Sequence, residues 1–185
     1  NPYGEAPMEN SRNIRQAMNR VDPRQRGLLG AAWTLGYIAH FARGGAQALT
    51  LGGGVGPFGL VHAPMPYEQP YFDEAGGYYP VFHVFRGLAR GAGAELLDTP
   101  SEVPRDIQAV AVRKDDRLEL WVANLTGEER TVVLEGDLQV KHQTHLNADS
   151  FLRATQDPAF IEKEHTDFSG REVKLAPYAV ARLTA

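Results

Sequence analysis

The chain has 185 residues, 43% of them hydrophobic, and a formal net charge of −4. That length can bury one or two cores. The acidic balance and scattered Lys and Arg exclude the basic footprint of a nucleic-acid binder. No apolar run approaches the ~20 residues of a membrane helix. Cysteine is absent, which excludes disulfides and thiolate metal sites. That absence suits a cytoplasmic protein, and no signal-peptide pattern is visible. Asn1-Pro2-Tyr3-Gly4 reads as loop without an initiator Met, so a mature or partial chain is expected.

In chain order, Asn10 or Ser11 can cap a short helix to about Asn19. Asp22-Pro23 is a cap followed by proline at the first helical position. A helix is predicted from Gln25 to Arg43, stopped by Gly44-Gly45. Leu28, Leu29, Ala32, Trp33, Leu35, Ile38 and Phe41 spread over more than half of its circumference, so burial on more than one side is expected. Gly30 and Gly36 each cost about 1 kcal/mol of helix propensity, which makes sense if another element packs closely there.

Ala46 to Leu51 reads as a short buried strand of a parallel sheet. A Gly/Pro/aromatic loop runs from Gly52 to Gly77, and Pro80 opens a second helix that ends at Gly91 to Gly93. After Thr99-Pro100 the texture changes to short strands separated by turns. Ile107 to Val112, Leu118 to Leu125, Thr131 to Leu134, Glu172 to Leu175 and Ala179 to Leu183 read as strands; Leu138 to Leu146 alternates less cleanly, and Ala148 to Glu164 reads ambiguously, as a loop with a helical turn. That spacing predicts an antiparallel β-sandwich. The fold class is α/β plus all-β, with residues 1–99 as the first domain and 100–185 as the second.

Gly54-x-Gly56-x-x-Gly59 has the spacing of a dinucleotide-binding loop. Such a loop must open a helix whose N-terminus holds the pyrophosphate. Here Pro64, Pro66 and Pro70 follow and forbid it. The glycines read instead as a tight loop beyond the C-terminal end of a strand, where α/β folds place their sites. No cofactor is expected. The same loop carries His62, Tyr67, Tyr71, Asp73 and Glu74, which we take as substrate-binding candidates. Aromatic rings stack on apolar sugar faces, and carboxylates accept hydrogen bonds from hydroxyls. The plainer reading is a surface loop with its tyrosines packed on the neighbouring domain.

His142 and His145 stand three apart on a strand, and so on opposite faces, which argues against a shared metal. Glu162-Lys-Glu164-His165 reads as a solvated run, and His40 and His83 as packing or surface residues within helices. Neither a Gly-x-Ser-x-Gly elbow nor a His-Glu-x-x-His pair occurs. Asp73 and Glu74 are adjacent, so they do not flank one glycosidic bond as two carboxylates must. The catalytic residues are left unassigned. Asn124-Leu-Thr126 matches a glycosylation sequon but carries no weight without a secretion signal.

"VDPRQRGLLGAAWTLGYIAHFARGGAQALTL", with "YYPVFHVFRGLA" after it, resembles the D-apionate lactonase family, hydrolases of a branched sugar-acid lactone. "LELWVANLTGEERTVVL" and "VKLAPYAVARL" resemble the strands of the small C-terminal β-domain carried by glycosidase-like (β/α)8 barrels. The resemblance implies that Gln25 to Arg43 is the seventh barrel helix, Ala46 to Leu51 the eighth strand, and Tyr79 to Ala92 the eighth helix. A whole barrel takes about 250 residues, so the remainder lies outside this chain and is its expected partner. The catalytic carboxylates usual on strands four and seven then lie upstream. The family pattern places an acidic residue after the eighth strand, where Gly52-Gly53-Gly54 stand here. The expected function is the C-terminal part of a carbohydrate-active hydrolase, a lactonase or a glycosidase-like enzyme, with a small carbohydrate or sugar acid as substrate. The alternatives are a non-catalytic sugar-binding or structural sandwich, and a pseudoenzyme suggested by the bare glycine rim.

Overall fold

The computed structural model describes residues 22–136 and 138–185; the short helix expected near Asn10 lies outside them. Asp22 caps a 3-10 turn, Pro23–Arg26, by accepting from the Arg24 amide at 3.1 Å. Gly27 then takes an extended conformation, and helix α1 starts at Leu28 and ends at Arg43. The single helix expected from Gln25 is therefore split. Gly30 allows the split: a Cβ there would stand 2.5 Å from the Arg24 carbonyl oxygen, so the turn folds directly onto the helix.

The strand expected at Ala46 to Leu51 does not form. Those residues are irregular and mostly exposed. A parallel strand gains its stability from neighbours on both edges, and no described segment lies beside this one. The long loop that follows contains a single helical turn, α2 (Phe72–Ala75), and leads into α3 (Pro80–Arg90), which matches the second helix expected.

Among the described residues, six antiparallel pairings build the remainder, from eight strands. They are β1 (Glu95–Leu97), β2 (Ile107–Lys114), β3 (Arg117–Asn124), β4 (Arg130–Val133), β5 (His142–Leu146), β6 (Thr166–Asp167), β7 (Glu172–Leu175) and β8 (Val180–Thr184). Helices α4 (Phe151–Gln156) and α5 (Phe160–Lys163) occupy the irregular stretch between β5 and β6. One sheet has the order β1-β2-β3-β8-β5-β6, and β4 pairs with β7 in a second. Asp115, at φ 53°, makes the tight reversal between β2 and β3.

The middle strands of the larger sheet, β2, β3 and β8, are buried on both faces because apolar residues occupy most of their central positions. Leu120, Val122, Ala181 and Leu183 pack with Val173 and Leu175 of the smaller sheet. Their sequence neighbours Trp121, Ala123 and Val180 point the other way, onto Ala31, Leu35, Ala39 and Val84 of α1 and α3. Val110 pairs with Trp121 and Ala111 with Leu120, so the two-residue period holds across the ladder. Where α1 crosses β2, Gly36 leaves just enough room: an added Cβ would meet Gln108 and Leu125 at 3.4 Å. Arg43 then donates to the buried Gln108 side chain at 2.5 Å.

The burial of α1 on several sides is not found. Trp33, Tyr37 and Phe41 recur every fourth residue and remain 63%, 38% and 41% exposed. They form an aromatic ladder on the face opposite the sheet, with ring centroids 6.4 and 4.4 Å apart.

Candidate functional site at the loop rim

The glycines at positions 52–59 close a small knot. Gly53 donates to the Phe58 carbonyl at 3.1 Å, Gly59 to Gly56 at 2.8 Å, and Leu60 to Gly54 at 3.1 Å. Gly56 has φ 93°, and a Cβ on Gly59 would sit 2.5 Å from the Val55 carbonyl carbon. Glycine is thus required by the knot itself. The Gln25 side chain donates to the Gly59 carbonyl at 2.9 Å, which ties the 3-10 turn before α1 to the loop before α3. The two connecting segments form one rim.

Behind the knot, Val61 bridges Tyr78, and His62 donates its amide to Gly77 at 2.9 Å. Residues 62–77 are thereby closed into a loop whose centre is the buried Gln69. Its side-chain amide donates to the Ala63 carbonyl at 2.9 Å, and its carbonyl oxygen accepts from the Tyr79 hydroxyl at 3.2 Å. Asp73 accepts from the Gln69 amide at 2.5 Å and lies 3.8 Å from Nε2 of His62. Burial pushes the Tyr79 phenol above its ordinary range; Arg26 pulls it back, and Tyr67 and Asp73 add to the rise. Arg26, Tyr67 and Asp73 therefore all lie within electrostatic reach of that hydroxyl, and Tyr79 stays a neutral donor.

Three polar atoms at this rim are buried without a hydrogen-bond partner: Nη1 of Arg26, the hydroxyl of Tyr67 and Nδ1 of His62. A buried donor left unsatisfied costs about 1–3 kcal/mol, more when charged. Such a cluster is unusual unless something else completes it.

The five sequence candidates separate in the structure. His62, Tyr67 and Asp73 belong to this cluster. Tyr71 turns away, its hydroxyl 2.5 Å from Oγ1 of Thr155. Glu74 is exposed on α2. Arg26 and Gln69 were missed: a lone Arg in a 3-10 turn and a Gln between prolines carry no motif. Trp121 is fully buried and presents no ring to a sugar. His142 and His145 have separate neighbours, Asp167 at 3.6 Å and Gln143 at 2.9 Å respectively.

Two helices and an irregular rim joined to an antiparallel sandwich describe the closing segment of a barrel with its C-terminal β-domain. Family models agree. That of the D-apionate lactonase TIM barrel domain matches residues 1–93, and that of the lactonase's C-terminal immunoglobulin-like domain matches residues 104–183. The chain belongs to the D-apionate lactonase family. It is 33% identical over 132 residues to the D-apionate lactonase of Brucella anthropi, covering 71% of this chain and 20% of that protein. The chain thus spans about a fifth of that curated relative. Among solved structures it resembles a conserved exported protein from Bacteroides fragilis, with a TM-score of 0.58 at 12% identity, over 93% of this chain and 37% of that one. CelM2, a bifunctional glucanase-xylanase from a metagenome library, gives a TM-score of 0.51 at 14% identity, over 86% and 28%. These two likenesses concern the fold alone.

Proposed function

We propose that this chain is the closing part of a sugar-acid lactonase and that its rim contributes substrate-binding donors. The observation that carries the reading is the unpartnered set at the rim: Arg26 Nη1 and Tyr67 OH, both able to donate, and His62 Nδ1, which donates or accepts according to its tautomer. Lactone hydrolysis needs such donors. Water adds to the ring carbonyl and the oxygen takes the negative charge. The bond from the carbonyl carbon to the ring oxygen then breaks, and that oxygen takes a proton to leave a hydroxy acid. Donors fixed beforehand stabilise the oxyanion and then the product carboxylate. Arg26, always charged, suits a carboxylate, and Tyr67 suits a developing oxyanion or a sugar hydroxyl. The group that activates water is not assigned to this chain.

Membership of the lactonase family supports the reaction class. The buried Trp121 counts against a sugar-binding sandwich. The rest of the barrel is the partner that the reading requires. The exposed ladder on α1 supports this, since two of its rings, Trp33 and Tyr37, line a groove of about 680 Å³ with Leu51 and Phe58.

The test is acid release from a sugar-acid lactone by the complete protein, followed by titration at constant pH. Turnover is expected, and Tyr67→Phe and Arg26→Met should each lower kcat/KM by about 10- to 100-fold. Absence of acid release, or unchanged kcat/KM in both variants, overturns the reading.

A further inference from the structure

The rim loop is held from the other domain. Tyr71 adopts φ 70° and ψ −51°, a conformation rare for a bulky residue. Such a backbone persists only where its surroundings enforce it. The enforcing contacts come from α4, whose residues lie more than 80 positions further along the chain. Oγ1 of Thr155 donates to the Leu152 carbonyl at 2.9 Å, so its short contact with Tyr71 has the tyrosine as donor. The Gln156 side-chain amide donates to the same Tyr71 oxygen at 3.2 Å and lies 3.5 Å from the carbonyls of Ala75 and Gly76. A directed chain results, from Gln156 through Tyr71 to Thr155 and on to the helix backbone.

The backbone of α4 takes part as well. The Thr155 carbonyl accepts from the Tyr78 amide at 2.8 Å. It lies so close to Gly77 that no Cβ would fit there, and Gly77 has φ 110°. The Ala154 carbonyl accepts from Nε2 of His83 at 2.7 Å, at the start of α3. Phe151 completes the contact by packing on Tyr71 and Phe72, with centroids 5.7 and 6.2 Å away. Helix α4 thus holds the C-terminal half of a loop whose N-terminal half bears His62 and Tyr67.

We propose that α4 of the immunoglobulin-like domain is a positioning element for the substrate loop, with Thr155 and Gln156 its positioning residues. The sandwich then governs how tightly substrate is held without touching it. Its link to substrate rests on the lactonase reading; the mechanical clamp does not.

The experiment uses the complete protein with Thr155→Val, Gln156→Ala and the conservative Thr155→Ser. Amide hydrogen exchange is followed in residues 69–79 and in β2 and β3, and KM and kcat are measured on a sugar-acid lactone. Thr155→Val and Gln156→Ala are each expected to speed exchange in 69–79 by about five- to tenfold, the effect of one lost hydrogen bond, with β2 and β3 unchanged. KM should rise several-fold with kcat nearly constant, and Thr155→Ser should restore both. Unchanged exchange in 69–79 overturns the clamp. Faster exchange with unchanged KM overturns its role in substrate binding. If the unaltered protein also fails to hydrolyse the lactone, the lactonase reading falls while the exchange data still decide the clamp. Gln156 is exposed, so its variant tests the idea even if Thr155→Val fails to fold.

Discussion

Gly87 of α3 lies against the indole of Trp121 so closely that an added Cβ would come within 2.5 Å of Cη2 and closer still to Cζ2. The contact fixes the depth at which the helix sits on the sheet. The indole cannot retreat easily, because its Nε1 donates to Glu119 at 2.6 Å and the Arg182 guanidinium lies 5.9 Å over the ring. Gly87→Ala should therefore destabilise the fold by about 1–3 kcal/mol, although alanine is the better helix former. Trp121→Phe should recover part of that loss when combined with it. Urea unfolding of the single and double variants checks both statements, and strictly additive losses would count against a direct clash.

Acid should loosen the join between the domains before it titrates surface carboxylates. Burial holds the His83 imidazole below its ordinary value of 6.5, although its bond to Ala154 and the charge of Glu162 pull it up. Burial does the same to His145. The unfolded chain therefore takes up protons first. Their contribution is fully present above about pH 6.5 and is lost as the pH falls toward the lower folded values. The melting temperature should be flat above about pH 7 and decline from there to pH 5, with a shallower slope in His83→Gln. Asp157, held low by Lys163, contributes only in a more acidic window.

Glu162 of α5 accepts from two arginines of α3, Arg86 at 2.9 Å and Arg90 at 2.7 Å. Its carboxylate is only 18% exposed, so the pair is better shielded than most surface ion pairs. Glu162→Gln should cost about 1 kcal/mol. The unaltered protein should lose part of that stability in 1 M salt while the variant does not. Parallel salt dependence would mean that the bridges contribute little.

The aromatic ladder on α1 predicts opposite outcomes in two settings. In this chain by itself, Trp33→Glu with Phe41→Lys should raise solubility and reduce self-association, because the ladder is then an exposed apolar patch. In the complete protein the same pair should be destabilising by several kcal/mol, because charges would be buried against the remaining barrel. Light scattering and thermal melts report the two effects.

The sandwich strands were legible because alternation and turn residues are local signals: Asp115-Asp116 and the apolar run of β3 needed no distant partner to be read. Gln25 to Arg43 was legible as a helix, but not its division, which depends on the turn folding back over Gly30. Ala46 to Leu51 looked like a strand because its side chains suit one; the hydrogen-bond ladder that makes a strand real comes from other segments. At the rim, glycine spacing, with the prolines after it, showed a tight loop. It did not show that Tyr71 serves α4 and not a ligand. That depends on a contact across more than 80 residues, and one tyrosine among several carries no mark of it.

The middle of the larger sheet, strands β2, β3 and β8, has no solvent face. One side carries the smaller sheet, and the other carries α1 and α3. The immunoglobulin-like unit is therefore not a portable cassette. Cut away at the change of texture near residue 100, it would bare Trp121, Leu146 and Val180 to water. Recombination that moved it to a new host would have to bring the last two barrel helices with it. The inheritable unit is then the sheet together with its helical cover, and drift in either must be answered by the other.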